Sequence, residues 1–317
     1  VSIPYELKTG IKAKIIAYSQ TPNGQLIVTF ELEYQRFIHG ELMTHRLFSR
    51  NAASSRAIPV ATIIDQVRND PAMPIHWGAN QAGMQAKQEL GFFRKKAAQK
   101  LWKIAAKAAC NIAEAMTRIG LHKQVANRIL EPFQTMKTVV TATCFENWFW
   151  LRDHADAQPE IRALAVAMLE QLDSQDPVQL TADDWHMPYF GEGYWLLNCG
   201  IPLDHALAIS SSCCAQVSFR KLDDTLEKAQ MIYDRLVESE PVHASPFEHQ
   251  AKPMEAYKYQ HGFAYDFEVN APGFPETWQG GITHSDRDGN LWSGNLKGFI
   301  QHRQLIPNNV APSRKGK

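Results

Sequence analysis

A mixed α/β (α+β) fold is what the sequence predicts, and two patterns carry it: a period of two near the start and helical periods further on. Ile11, Ala13, Ile15 and Ala17 alternate with Lys12, Lys14 and Ile16, and Pro22-Asn23-Gly24 then supplies a turn. After it Leu26, Val28, Phe30, Leu32 and Tyr34 alternate with Ile27, Thr29, Glu31 and Glu33. Alternation sends every second side chain to the same face of a strand, so this is a β-hairpin with one buried face. From Gln81 to Gly120 the apolar residues Leu101, Ile104, Ala105, Ala108, Ile112, Met116 and Ile119 recur at helical spacing. Lys96, Lys100, Lys103 and Lys107 take the other side, and Gly120 ends this long amphipathic helix. Pro159 and Glu160 open a further helix with the stripe Ile161, Leu164, Met168, Leu169 and Leu172, and Leu222, Leu226, Ile232 and Leu236 mark another. The stretch Asn270 to Gly298, rich in Gly and Pro, reads as loop.

The composition narrows the class. A chain of 317 residues with 44% apolar and 21% charged residues can bury a full core, and 33 basic residues balance 33 acidic ones. Disorder and a uniformly basic, nucleic-acid-coating surface are excluded. No apolar run approaches the roughly 18 to 20 residues of a membrane span, and Val1 to Gly10 lacks a signal-peptide pattern, so a cytoplasmic protein is expected. Five cysteines, an odd number without a C-x-x-C pair, indicate neither a disulfide framework nor a structural zinc site, and the scattered histidines form no metal-binding spacing. Charge is nevertheless uneven: Lys87 to Lys137 carries net +8 and Asp153 to Gly193 net −8.

Chemistry concentrates in Thr44-His45-Arg46-Leu47-Phe48-Ser49-Arg50-Asn51-Ala52-Ala53-Ser54-Ser55-Arg56. Small residues, hydroxyls and guanidinium groups in one run suit a phosphate: Ser-Ser-Arg offers backbone N–H and hydroxyl donors, and arginine adds a permanently charged fork. A solvated loop whose arginines pair with carboxylates has the same composition.

That run resembles the signature of the flavin-dependent thymidylate synthases (the ThyX type). Val125-Ala126-Asn127-Arg128-Ile129-Leu130-Glu131-Pro132, Asn147-Trp148-Phe149-Trp150-Leu151-Arg152 and Ala157-Gln158-Pro159-Glu160-Ile161-Arg162 are similar to further segments of that family. Ala215-Gln216-Val217-Ser218-Phe219 and Ser245-Pro246-Phe247-Glu248-His249 resemble its N-terminal piece, here placed at the far end, as a circular permutation or a partial duplication would leave it. Gly294 to Arg303, helix-like and ending in His-Arg, faintly echoes Leu42 to Arg46. The resemblance implies a mixed α/β fold around a twisted sheet, with residues 1–250 forming the flavin- and nucleotide-binding domain and 251–317 an extension packed on or covering it. It implies a homotetramer with flavin sites shared between subunits, and methylation of deoxyuridylate (dUMP) at C5 using FAD, NADPH and 5,10-methylenetetrahydrofolate. Carried over by position, Ser54, Ser55 and Arg56 match the nucleotide-phosphate loop, Arg128 a nucleotide-binding arginine, and Arg152 the catalytic arginine beside the uracil. His45 and Arg46 match contacts to the flavin ring system, Asn147, Ser218 and His249 contacts to its phosphates and adenosine half, and Ser49 and Asn51 further cofactor contacts.

Departures from the family pattern are informative. Thr44 replaces the first arginine of the signature, and Glu41, counted with the substrate contacts, stands where a glutamine is usual. Ala52 and Ala57 replace a glutamate and a tyrosine, and Thr141 and Thr143 an asparagine and an arginine that help hold FAD. An acceptor in place of an amide donor at Glu41 leaves the base and the fate of the one-carbon unit open, with 5-hydroxymethylation of a deoxypyrimidine nucleotide as the alternative. A non-catalytic nucleotide-binding protein, or a nucleic-acid binder using the lysine-rich helix and Trp148, Trp150, Trp185 and Trp195, is the alternative of another class. Cys213-Cys214 reads as inert core before it reads as a nucleophile.

Overall fold

The computed structural model describes residues 10–218, 222–256 and 278–310. Strands β1 (Lys12–Gln20) and β2 (Leu26–Gln35) form the antiparallel hairpin, with Ile15 opposite Phe30 and Lys12 opposite Glu33. β2 continues into a sheet by pairing with β4 (Thr135–Ala142), and β4 pairs in turn with β3 (Ser49–Ala52). The short β5 (Val178–Gln179) adds in parallel to β1, which gives the order β3-β4-β2-β1-β5.

One face of this sheet packs on α6 (Pro159–Asp173), whose Ile161, Leu164, Ala165 and Met168 meet Val28, Phe30 and Leu32 in the main core. The stripe anticipated for this helix is the buried one, and Gln158 caps it by accepting from Ile161 N–H. The hairpin has more than one buried face, however. Ile27 and Thr29, on the opposite side of β2, are also fully buried, because a second sheet lies over that half of the strand. This sheet runs β12-β8-β6-β7, from β6 (Trp185–His186), β7 (Tyr194–Trp195), β8 (Ala251–Pro253) and β12 (Phe299–Gln301). Ile27 packs there with Ala251, Leu296 and Phe299. Helices α7 (Leu203–Ala215) and α8 (Leu226–Val237) complete that side, and Leu222 lies before α8, exposed.

Helix α3 runs from Phe92 to Arg118, starting later than its pattern suggests because residues 77–90 fold back as a loop closed by the Gly78–Glu89 bridge. Its buried contacts are also not the ones the stripe predicts. Ala106, Cys110 and Ala113 pack on α2 (Val60–Asn69), whereas Leu101, Ile104, Ile112 and Ile119 point outward. Small residues allow the two helices to approach closely, and the larger side chains are left on the free face. The ion pairs made by the cations of the basic stretch go to Glu89, Glu131 and Glu31, and none of those among the described residues reaches the acidic stretch. No helix among the described residues is long and apolar enough to cross a membrane.

The described part of the supposed loop holds three short strands, β9 (His284–Ser285), β10 (Leu291–Ser293) and β11 (Leu296–Lys297). Residues 294–301 are not helical: β11 and β12 precede a 3-10 turn at His302–Leu305, with Gly294 and Gly298 at positive φ turning the chain.

Gly193, at φ +97°, faces the backbone of β1, and a Cβ there would lie 2.7 Å from Ala17 Cα and Ile16 O. Gly193→Ala therefore lowers the unfolding free energy by about 2–4 kcal/mol in urea titrations. A loss under about 0.5 kcal/mol would show that β1 gives way at that point.

Candidate active site

Arg152 is the last residue of α5 (Glu146–Arg152), a helix anchored by the fully buried Trp148. Its guanidinium reaches back to α1 (His39–Leu42) and the turn that follows. Nε donates to His45 Nε2 at 3.0 Å, Nη1 to Glu41 Oε2 at 3.2 Å, and Nη2 to Thr44 Oγ1 at 3.3 Å. Three of the five N–H groups are committed and two remain. The His45 ring stands edge-on against Trp148 and near Phe48. Burial first, then the positive charges of Arg152 and Arg50, push its pKa down to about 4, so it is neutral at pH 7 and accepts at Nε2. Thr44 also donates to Glu41 O at 2.7 Å. An arginine in its place would set a second cation against Arg152, so the departure at Thr44 suits the ion pair with Glu41.

This cluster heads a cavity of about 1200 Å³ between α5, the start of α6 and the loop preceding α3. Glu41 and Arg152 stand at one wall, Phe37, Trp102 and Leu151 supply apolar surface, and Lys87 a further cation. The volume is above the roughly 300–1,000 Å³ of ordinary ligand sites, which is room for a nucleotide and a second flat molecule.

Ser54, Ser55 and Arg56 lie beyond the far end of β3, a strand of about 10 Å. Ser54 N–H donates to Ser218 Oγ at 2.8 Å, and Ser55 Oγ donates to Glu131 Oε1 at 2.9 Å. The same carboxylate oxygen accepts from Arg128 Nη1 (3.0 Å) and Arg36 Nη2 (3.1 Å). Asn127 Nδ2 donates to Ser55 O (2.6 Å) and Ile58 O (3.0 Å), which holds the loop from inside. Arg56 and Arg128 are exposed. Glu131 and Asn127 organise this group, and neither is among the site residues expected from the sequence. The Arg-x-x-Glu spacing of Arg128 and Glu131 in a helical turn was the available signal. A second cavity of about 570 Å³ opens here, with Ala53, Lys137 and Ser218 among its walls, and no residue lines both cavities.

The remaining residues do not join either group. Arg46 and Asn147 are exposed, with no hydrogen-bond or ion-pair partner among the described residues. Asn51 Nδ2 donates to Cys214 O at 3.1 Å, and Ser49 is buried under Asn295 and Gln301. His249 is fully buried at one end of a polar chain across the sheets. Its Nδ1 meets Thr141 Oγ1 (2.8 Å), Thr141 meets Thr29 (2.7 Å), Thr29 meets His186 Nε2 (2.8 Å), and His186 Nδ1 meets Ser19 (2.9 Å). His249 Nε2 has no partner. Nothing in the sequence pattern signals this chain, since its members come from five separate elements. Cys213 and Cys214 are buried, and desolvation raises both thiols, Cys213 to about 12, so the nucleophile reading fails. Trp148, Trp185 and Trp195 are core, which leaves only Trp150 of the four supposed base-stacking tryptophans exposed. Phe219 lies outside the described residues. Among the described residues no group of three or more His, Cys, Asp or Glu could hold a metal ion.

Burial lowers His186, His249 and His302 to about 3, as it lowers His45 to about 4. In the unfolded chain each titrates near 6.5, so between about 6.5 and 3 the unfolded state binds more protons. Their contribution to stability is full above about pH 6.5 and is lost as pH falls toward 3–4. Urea midpoints level above pH 7 and falling steadily through pH 6 and 5 are the expected result, and midpoints level down to pH 4 would contradict it.

A family model described as "Thymidylate synthase complementing protein" matches residues 11–178, from β1 through β5, and so takes in Arg152 and Ser54–Arg56 but not the segment 212–249. No curated protein matches the chain. Among solved structures, the UMP/dUMP methylase PolB from Streptomyces cacaoi bound with 5-Br UMP is similar at 14% identity and a TM-score of 0.43, over 52% of this chain and 89% of that one. The same enzyme bound with 5-Br dUMP gives 13% and 0.41, over 52% and 90%. On the family match, which spans more than half of its length, the chain belongs to the thymidylate synthase complementing protein family, the flavin-dependent thymidylate synthases.

Proposed function

We propose that the protein transfers a one-carbon unit to C5 of a pyrimidine nucleoside monophosphate, dUMP foremost, with the base seated beside Arg152. The observation that carries this is the three-point grip of Glu41, Thr44 and His45 on the guanidinium at the mouth of the larger cavity. C5 of a uracil attacks a carbon electrophile only while negative charge on the ring carbonyls is stabilised. The two free N–H groups of Arg152, fixed in direction beforehand, supply that stabilisation without reorganising during the reaction. Neutral His45 holds the guanidinium in plane without adding a competing cation, and Glu41 offsets its charge, so a neutral base is accepted.

Arg56 and Arg128 are the phosphate ligands in this reading, with Ser54 and Ser55 shaping the loop. Since none of them lines the Arg152 cavity and the loop lies beyond the far end of β3, base and phosphate of one nucleotide meet residues of two copies of the chain in this reading. The outward apolar row of α3, Leu101, Ile104, Ile112 and Ile119, supports such an assembly, a tetramer in the reading taken from the family. Light scattering should then show a multiple of the 35.8 kDa chain, and Ile104→Glu with Ile112→Glu should return the monomer. A wild-type monomer would remove this part of the reading.

Arg46 and Asn147, exposed and close in sequence to the Arg152 cluster, fit one end of a flavin; Ser49 and His249, buried inside the chain, do not. Reduced flavin supplies hydride chemistry when bound, with NADPH as its reductant and methylenetetrahydrofolate as the carbon donor. The test is incubation of the purified protein with FAD, NADPH, methylenetetrahydrofolate and either dUMP or deoxycytidylate. A product about 14 mass units heavier is methylation and one about 30 heavier is hydroxymethylation. Arg152→Lys loses the planar fork and lowers kcat by about 10²–10³-fold, with the thermal midpoint little changed. No modification of either nucleotide overturns the proposal.

A further inference from the structure

Deepening the assembly in the reading above, on which it rests, we infer that α3 packs antiparallel against α3 of a second copy of this chain, with Phe93 opposite Ile119 and Ala97 opposite Ala115. The two-fold axis of that contact passes near Ala106.

The observation is a stripe that α3 presents away from its own fold. Phe93, Ala97, Leu101, Ile104, Ala108, Ile112 and Ala115 of the helix, and Ile119 just after it, are all exposed. They follow one another at steps of four, four and three residues, an eleven-residue repeat. At about 3.67 residues per turn such a repeat keeps a stripe nearly straight, so the whole helix, about 40 Å long, can meet one straight neighbour. With about 100° between successive residues, the stripe lies opposite Ala106, Cys110 and Ala113, which face α2.

The stripe reads nearly the same from either end. Phe93 and Ile119 stand at the tips, then Ala97 and Ala115, then Leu101 and Ile112, with Ile104 and Ala108 at the centre. A two-fold axis across the helix brings this patch onto itself in reverse order, so the pattern is its own complement, and a second copy is the occupant it fits. Alanine facing alanine lets the axes approach, and each Ile104 fills the space beside Ala108 of the second copy. Charge fixes the direction. Arg94, Lys95, Lys96, Lys100, Lys103 and Lys107 make the first part of the helix basic, whereas Glu114 and Arg118 balance in the last part. A parallel pair would set the two basic parts side by side; an antiparallel pair sets each beside a neutral one and opposes the helix dipoles. The five large side chains, each more than half exposed, offer about 500–600 Å² per copy, so the pair buries about 1,000–1,200 Å², the lower end of a specific interface. Trp102 leaves the same helix on another side, donates from Nε1 to Ala72 O at 2.9 Å and lines the larger cavity. The second copy thereby braces the helix that carries one wall of the site.

Cysteine crosslinking of the full chain tests the proposal, in a Cys199→Ser background because Cys199 is exposed. The expected result is that Ala97→Cys combined with Ala115→Cys, treated with a short thiol-to-thiol crosslinker, runs mostly as a dimer on denaturing gels, while each single variant stays a monomer. Positions 97 and 115 are about 27 Å apart along one helix, so a link within the chain does not form. Self-linking of either single variant shows a parallel pair, and an unlinked double variant shows that another surface joins the copies. Either result overturns the proposal, and the assembly reading survives it if light scattering still gives a multiple of 35.8 kDa. A wild-type monomer removes both.

Discussion

Strand β2 is buried on both faces, and much of the architecture follows from that constraint. Phe30, Leu32 and Tyr34 face α6, while Ile27 and Thr29 face the second sheet. A strand of this kind must be covered twice, and the second cover has to bring a polar partner for Thr29 as well as apolar surface for Ile27. His186 supplies the first, and Ala251, Leu296 and Phe299 the second. The C-terminal extension is thus part of the core that supports β3 and β4, the strands around which both residue groups of the site are built.

The same economy governs the site's electrostatics. Arg152 keeps its charge available because its neighbours are one carboxylate, one hydroxyl and one neutral imidazole. Burial against Trp148 and Phe48 keeps His45 neutral, so packing in the main core sets the protonation state of a residue that orients the guanidinium. At the other end of β3, Glu131 gathers Arg36, Arg128 and Ser55 on one oxygen. A single carboxylate there restrains two cations and a loop, while Arg56 has no ion-pair partner among the described residues.

The hairpin, α6 and the Thr44–Arg56 run were legible because each is local: alternation, helical spacing and residue type within a short window determine them. The α3 stripe misled for an instructive reason. Periodicity shows that Leu101, Ile104, Ile112 and Ile119 share a face, but it does not say which face of a helix meets a neighbour, and here alanines and a cysteine do. Residues 294–303 misled similarly, since an echo of His-Arg carries no information about the two glycines at positive φ that turn the chain between strands.

The sequence by itself determined the family, the central hairpin and the arginines and serines at which nucleotide chemistry is to be sought. These depend on residue identity and short spacing, which any ordering of the chain preserves. Only the tertiary structure decided that Arg152 meets Glu41, Thr44 and His45, that Glu131 unites Arg36, Arg128 and Ser55, that Ser49 lies sealed beneath Asn295 and Gln301, and that His249 ends a buried polar chain through Thr141. Each of these joins positions tens to hundreds of residues apart or pairs a side chain with one particular partner among many of its type. What selects the partner is the burial of β2 from both sides, a property of the whole packed chain that no local window contains.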